Sequence, residues 1–235
     1  MNEIVSYRVE ESLATITIDD GKANAVSFQF IEEVNAALDQ AEKDKAVTIL
    51  TGRPGKFSAG FDLSVLSSGA EAATALVRNG ALLCVRLLGF PTPVVIACNG
   101  HSLALGALLL LSTDYRIGTE GNYKIGTNEV AIGMPLPCFG VEIARHRLPP
   151  NYFSRSVANA EIYTPRGAME AGFLDVVVSE DKLMEAAAQS ARGLAKLDLA
   201  AYYATKLRAR EGAISAINEA IEEEYREGGH NGTQR

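Results

Sequence analysis

The stretch "SLALGALLLLSTDYR", Ser102 to Arg116, decides the architecture. From Leu103 to Leu111 it carries no polar side chain. Three readings compete: a membrane segment, a core helix, or the floor of a site. Crossing a bilayer takes about 20 consecutive apolar residues. The preceding apolar run, Val94 to Cys98, is cut off by Asn99, Gly100 and His101, so neither run is long enough. The acidic start "MNEIVSYRVEESLATITIDD" has no signal-peptide pattern. Both observations imply a soluble, cytoplasmic protein.

The leucine run follows a strand pattern and a glycine-containing turn, "CNGHSLALG". A helix that starts just beyond a strand has unpaired backbone N–H groups at its first turn. The helix dipole makes that end a place for negative charge. Apolar residues on every face bury the helix body. Taken alone, the run reads better as a plain central core helix.

Outward from this run, apolar and polar residues alternate in "LATITIDD", which reads as a strand. Phe28, Ile31, Val34 and Leu38 recur at helical spacing behind Ser27, a capping residue. "AVTILTG" and "PVVIACNG" are further strands, with the helix "GAEAATALVRNGALLCVRLLGF" between them. "DYRIGTEGNYKIG" offers two short strands around a Glu-Gly turn. This alternation predicts an α/β core with right-handed crossovers over residues 1–149. Residues 150–235 read as helices with one strand at "DVVV", packed on the core or on a neighbouring subunit, and the polar tail "GGHNGTQR" is expected to fray.

The chain has 235 residues, 47% of them hydrophobic, enough for one large core. Its net charge of −7 argues against wholesale nucleic-acid binding. Cys84, Cys98 and Cys138 lie far apart without metal-ligand spacing and are expected to be buried and inert.

Two more loops could carry chemistry. "GRPGKFSAGFDLS", Gly52 to Ser64, can expose backbone amides around Ala59-Gly60-Phe61, with Asp62 capping a short helix. "YKIGTNEVAIGMPLP" places Glu129 among apolar neighbours, where a carboxyl group tends towards a raised pKa and can act as a base.

The order "FSAGFDL", then "NGHSLALGALLLLSTDYRI", then "IGTNEVAIGMPLP" resembles the crotonase (enoyl-CoA hydratase/isomerase) superfamily. The flanks "ATITIDDGKANAVSFQFIEEVNAAL" and "ANAEIYTPRGAMEAGFLDVVVSEDKL" are similar as well, so the likeness spans about residues 3 to 210. It implies a ClpP-like spiral of ββα turns with a C-terminal helical trimerisation region. It implies an acyl-CoA thioester as substrate, no covalently bound cofactor, no metal, and a homo-trimer or a dimer of trimers. Backbone N–H groups of Phe61 and Leu105 would hold the thioester oxygen. Lys22, Ala23 and Ala25 match the turn near the pantetheine and adenine, with Ser58 and Ala59 at the adenine end and Lys56 as a phosphate partner. Gly60, Asp62, Leu63, Gly106, Leu108, Asn128, Met134 and Pro135 correspond to substrate-lining positions, and the helix Ala70 to Leu88 and the segment Met134 to Phe139 to the acyl pocket. His101 and His146 stand as alternative bases.

Two departures bear on the reaction. The family's Gly-Gly-Gly reads Ala104-Leu105-Gly106, and the helix position where hydratases carry a Glu holds Leu108. Hydration needs two carboxylates around a water. Moving a double bond from C3 to C2 needs one base, Glu129, and a dry site. The sequence "DYRIGTEGNYKIGTNEVAIG" is also similar to mitochondrial-type Δ3,Δ2-enoyl-CoA isomerases. An isomerase is therefore expected. Weak hydratase activity, thioester hydrolysis and a non-catalytic acyl-CoA-binding subunit are the alternatives.

Overall fold

The computed structural model describes residues 3–225, so the tail from Gly228 onward lies outside the described residues. The chain opens with a hairpin, β1 (Val5–Glu10) antiparallel to β2 (Leu13–Ile18). In α1 (Phe28–Lys43) the Ser27 hydroxyl accepts from Phe30 N–H at 3.2 Å, as its position before the periodic run predicts.

From there each turn of the chain adds one strand to each of two sheets and returns through helix. β3 (Val47–Thr51) leads to β4 (Gly55–Ser58), α2 (Leu63–Leu66) and α3 (Ala70–Leu88). β5 (Val94–Cys98) leads to β6 (Gly100–Leu103) and α4 (Leu105–Leu111). β7 (Tyr115–Thr119) leads to β8 (Ile125–Gly126), a 3-10 turn (Val130–Ile132) and α5 (Cys138–Arg147). The two strands expected around Glu120-Gly121 both form but diverge, β7 into the larger sheet and β8 into the smaller. α6 (Pro150–Val157), α7 (Pro165–Ala171), β9 (Val176–Val178), α8 (Leu183–Leu194) and α9 (Leu199–Glu224) complete the order.

The larger sheet runs β1-β2-β3-β5-β7-β9, parallel beyond the hairpin, and the smaller runs β4-β6-β8, parallel throughout. β3 and β5 are buried on both faces, so their sequences are near-continuous apolar runs. Val47, Ile49, Val95 and Ala97 meet Leu183, Ala187 and Ala191 of α8. Leu50, Val94, Ile96 and Cys98 face the main core with α1, α3 and α4. All seven residues of α4 are buried. From Leu105 onward the leucine run is thus a buried central helix, while its first residue, Leu103, closes β6, and no helix among the described residues is long and apolar enough to cross a membrane.

Beyond residue 149 the chain builds on the same core, since β9 joins β7 and α9 lies along α5. The apolar pattern suggests a last helix from Ile214, but it begins at Leu199, where Asp198 accepts from Ala201 N–H. Buried charge anchors this extension. Lys206 Nζ donates to Asp114 Oδ2 and to the Phe90 carbonyl, each at 2.9 Å. Arg210 lies 2.9 Å from Asp114 Oδ1 and donates to the Leu88 carbonyl at 2.8 Å.

Burial pushes the thiols of Cys84 and Cys98 up to about 12, in line with inert cysteines. Cys138 departs from that expectation: it is exposed, at the first turn of α5, a helix that the Gly- and Pro-punctuated sequence hides.

Candidate active site

The smaller sheet gathers the three loops. β4 pairs with β6 through Gly55↔Gly100 and Ser58↔Ser102, and β6 with β8 through Leu103↔Gly126. Because all three strands are parallel, Phe61, Leu105 and Glu129 all follow carboxyl ends at one edge. In open α/β sheets that edge is where ligands bind.

The approach of the first two loops is set by small residues. Gly60 has φ +87°, and a Cβ there would stand 2.6 Å from Ala104 Cβ and 3.4 Å from Leu105 N. A Cβ on Gly106 would stand 2.7 Å from the Ser58 carbonyl oxygen. Only glycine fits at either place. Val26 N–H donates to the Gly60 carbonyl at 2.8 Å and Asp62 N–H to the Val26 carbonyl at 3.0 Å. This parallel bridge turns the intervening Phe61 N–H away from Val26. Among the described residues, no hydrogen bond occupies Phe61 N–H or Leu105 N–H. Ala104 sits at φ 51°, ψ −126°, backbone space that strains any side chain. Leu105 turns its side chain away from this edge, towards α3.

Glu129 begins the 3-10 turn after β8 and is 7% exposed. Burial pushes its carboxyl up to about 7, against the opposing pull of the backbone N–H groups of Glu129 and Asn128. Its Oε2 is buried and has no hydrogen-bond partner among the described residues, and the same holds for Asn128 Oδ1. A carboxyl group so placed can gain and lose a proton near neutral pH. Leu108 is 1% exposed, with Cδ1 2.9 Å from the point where a Cβ on Gly140 of α5 would be.

The remaining candidates divide. Ala23 joins the first loop by accepting from Ala59 N–H at 3.1 Å, and Ser58 Oγ donates to the Asn24 carbonyl beside Ala25. Lys22 has its carbonyl held by Arg53 at 2.8 Å. Asp62 caps α2 through Ser64 N–H at 2.8 Å, and the Ser64 hydroxyl, which donates to the same carboxylate at 2.6 Å, holds it below the usual range. Leu63, Met134 and Pro135 are exposed. Met134 N–H donates to the Glu129 carbonyl at 3.0 Å. His101 Nδ1 accepts from Lys124 N–H at 3.0 Å, and Lys56 pairs with His101 across the strands. His146 lies with Arg147 and Arg210, at the α9 side of the molecule.

Asn24 is the residue that sequence reasoning missed. It is fully buried at φ 52°, and its amide donates to the carbonyls of Ile18 at 2.9 Å and Phe57 at 3.2 Å. Its Oδ1 accepts from Asp20 N–H at 3.0 Å, so one side chain ties the "GKANAV" turn to β2 and β4. An Asn inside a turn flanked by Asp20 and Gly21 was the available signal.

Comparison with known proteins adds to this geometry. The sequence profile of the family described as enoyl-CoA hydratase/isomerase matches residues 8–228. A probable enoyl-CoA hydratase of Bacillus subtilis is 30% identical over 94% of this chain and 91% of its own. The mitochondrial enoyl-CoA delta isomerase 1 of Rattus norvegicus is also 30% identical, over 77% of this chain and 64% of its own. The crystal structure of an enoyl-CoA hydratase/isomerase family protein from Pseudomonas syringae superposes with a TM-score of 0.93 at 50% identity, over 94% of this chain and 96% of that one. This chain therefore belongs to the enoyl-CoA hydratase/isomerase (crotonase) family of enzymes.

Proposed function

We propose that this protein moves the double bond of an enoyl-CoA from C3 to C2. Glu129 takes a proton from C2, the electrons spread into a dienolate, and the protonated Glu129 returns the proton at C4. The N–H groups of Phe61 and Leu105 hold the thioester oxygen while it carries negative charge; losing one such donor costs about 3–4 kcal/mol in other enzymes. The observation that carries the reading is the lone buried carboxyl of Glu129, with pKa about 7 and a free Oε2. Leu108 stands where hydratases keep a second carboxylate, which leaves no pair to activate water.

The coenzyme A portion lies along Lys22, Ala23 and Ala25 with Ser58 and Ala59, and the acyl portion runs between α3 and the Met134-Pro135 segment. Residues 1–149 serve as the acyl-CoA-binding core and residues 150–235 as the assembly region. A homo-trimer or dimer of trimers is supported by Met169, Met184 and Leu197, apolar residues of that region left 41%, 43% and 48% exposed. Purified protein assayed side by side on 3-enoyl-CoA, 2-enoyl-CoA and saturated acyl-CoA should isomerise the first fastest. Faster hydration of 2-enoyl-CoA or hydrolysis of the saturated thioester would replace this reading, and a monomeric mass in light scattering would remove the assembly.

A further inference from the structure

Gly80 lies in the interior of the 19-residue helix α3 and is buried. Glycine is the poorest helix former after proline, so its place there calls for a reason. A Cβ on Gly80 would stand 2.6 Å from Cε1 and 2.8 Å from Cζ of Phe61, and 2.8 Å from Cδ2 of Leu105. Both residues proposed to hold the thioester oxygen therefore rest their side chains in one hollow, and that hollow exists because residue 80 has no side chain. By contrast, a Cβ on Gly212, inside α9, meets nothing within 4 Å.

We infer that Gly80 is a positioning residue for the thioester-oxygen site, the common seat that fixes the spacing of the Phe61 and Leu105 N–H groups. The inference rests on the proposed role of those two groups. Two bulky side chains enter from different segments, Phe61 from the loop after β4 and Leu105 from the first position of α4, and Leu105 is fully buried. A methyl group on residue 80 pushes on both at once. The displacement is passed to the two backbones whose N–H groups must point at one oxygen atom. Nothing in the coenzyme A path proposed above touches Gly80, so binding of the coenzyme A portion of the substrate should be spared.

The test is a double-mutant cycle, Gly80→Ala with Leu105→Ala, and Gly212→Ala as the helix control. Readouts are kcat and KM on 3-enoyl-CoA, the midpoint of urea unfolding, and the ultraviolet difference spectrum of bound acetoacetyl-CoA, whose enolate absorbs where the keto form does not. Gly212→Ala should raise the midpoint and leave activity alone, as alanine does in an open helix position. Gly80→Ala should lower kcat at least tenfold, change KM less than threefold and weaken the enolate band. In the Leu105→Ala background, where the ring of Phe61 gains room to yield, the same change should cost less than threefold. Gly80→Ala that behaves like Gly212→Ala, or that costs the same factor in both backgrounds, overturns the inference. If Gly80→Ala alone does not fold, the double variant decides, and its failure to fold as well counts against the seat. A parent protein that neither turns over 3-enoyl-CoA nor shifts the acetoacetyl-CoA spectrum refutes the thioester site itself and takes the role of Gly80 with it. A parent that does both while Gly80→Ala does both equally refutes Gly80 alone.

Discussion

Replacing the proposed base should make the protein more stable, and by an amount set by pH. Glu129 is 7% exposed and its carboxyl is raised from the ordinary 4.5 to about 7 by burial. Below pH 4.5 it is protonated in both the folded and the unfolded chain and contributes no difference. Between 4.5 and 7 the unfolded chain releases the proton while the folded one keeps it, so stability falls as pH rises. Above 7 both are ionised and the loss is complete. At about 1.4 kcal/mol for each pKa unit, that loss is about 3 kcal/mol. In Glu129→Gln the group cannot ionise, and the cost of burying the amide does not change with pH. The other titrating groups are common to both proteins and cancel in the comparison. The variant's stability relative to the parent should therefore grow by about 2–3 kcal/mol between pH 5 and pH 8. Urea unfolding of both proteins at pH 5, 6, 7 and 8 measures it. A difference that stays flat within about 0.5 kcal/mol across that range would show that Glu129 is not held in the protonation balance argued above, and the case for a base near neutral pH would go with it.

Three further outcomes are expected. Ala104→Gly should stabilise the protein by about 1 kcal/mol, because relief of the strain at φ 51° exceeds the added freedom of the unfolded chain; a fall in the urea midpoint would show that the contact with Gly60 dominates. Asp114→Asn should cost about 3–5 kcal/mol, since it leaves Lys206 and Arg210 buried without their counter-charge, and thermal unfolding that is unchanged would contradict this. Leu108→Glu should lose about 1–3 kcal/mol of stability and gain measurable hydration of 2-enoyl-CoA at the expense of isomerisation. A well-folded Leu108→Glu protein with both activities unaltered would place Leu108 away from the substrate.

Much of this architecture is written locally. The α1 cap, the two-faced apolar runs of β3 and β5 and the all-buried α4 each follow from residues adjacent in sequence. The strands of the smaller sheet do not. Gly55–Ser58, Gly100–Leu103 and Ile125–Gly126 are too short for a period to register, and they exist only through one another. Glu129 was legible as a carboxyl group among apolar neighbours; its near-neutral pKa is a product of tertiary burial. The shared hollow over Gly80 was hidden because it needs Phe61, Gly80 and Leu105, from three separate segments, at once. The start of α9 at Leu199 was hidden because buried charge, rather than an apolar stripe, fastens it.

That fastening has a consequence in time. Asp114 and Lys206 are 92 residues apart. At a synthesis rate of roughly 5–20 residues per second, the ribosome makes the carboxylate roughly 5–20 s before the ammonium group that neutralises it. During that interval Asp114 has neither the ammonium group of Lys206 nor the guanidinium of Arg210 that pair with it in the finished fold. Closure around the end of α4 is then completed only when the final helix emerges. A chain that stops before Lys206 lacks both cations that meet Asp114 in the finished fold, and its core is left with the charge uncompensated at that place.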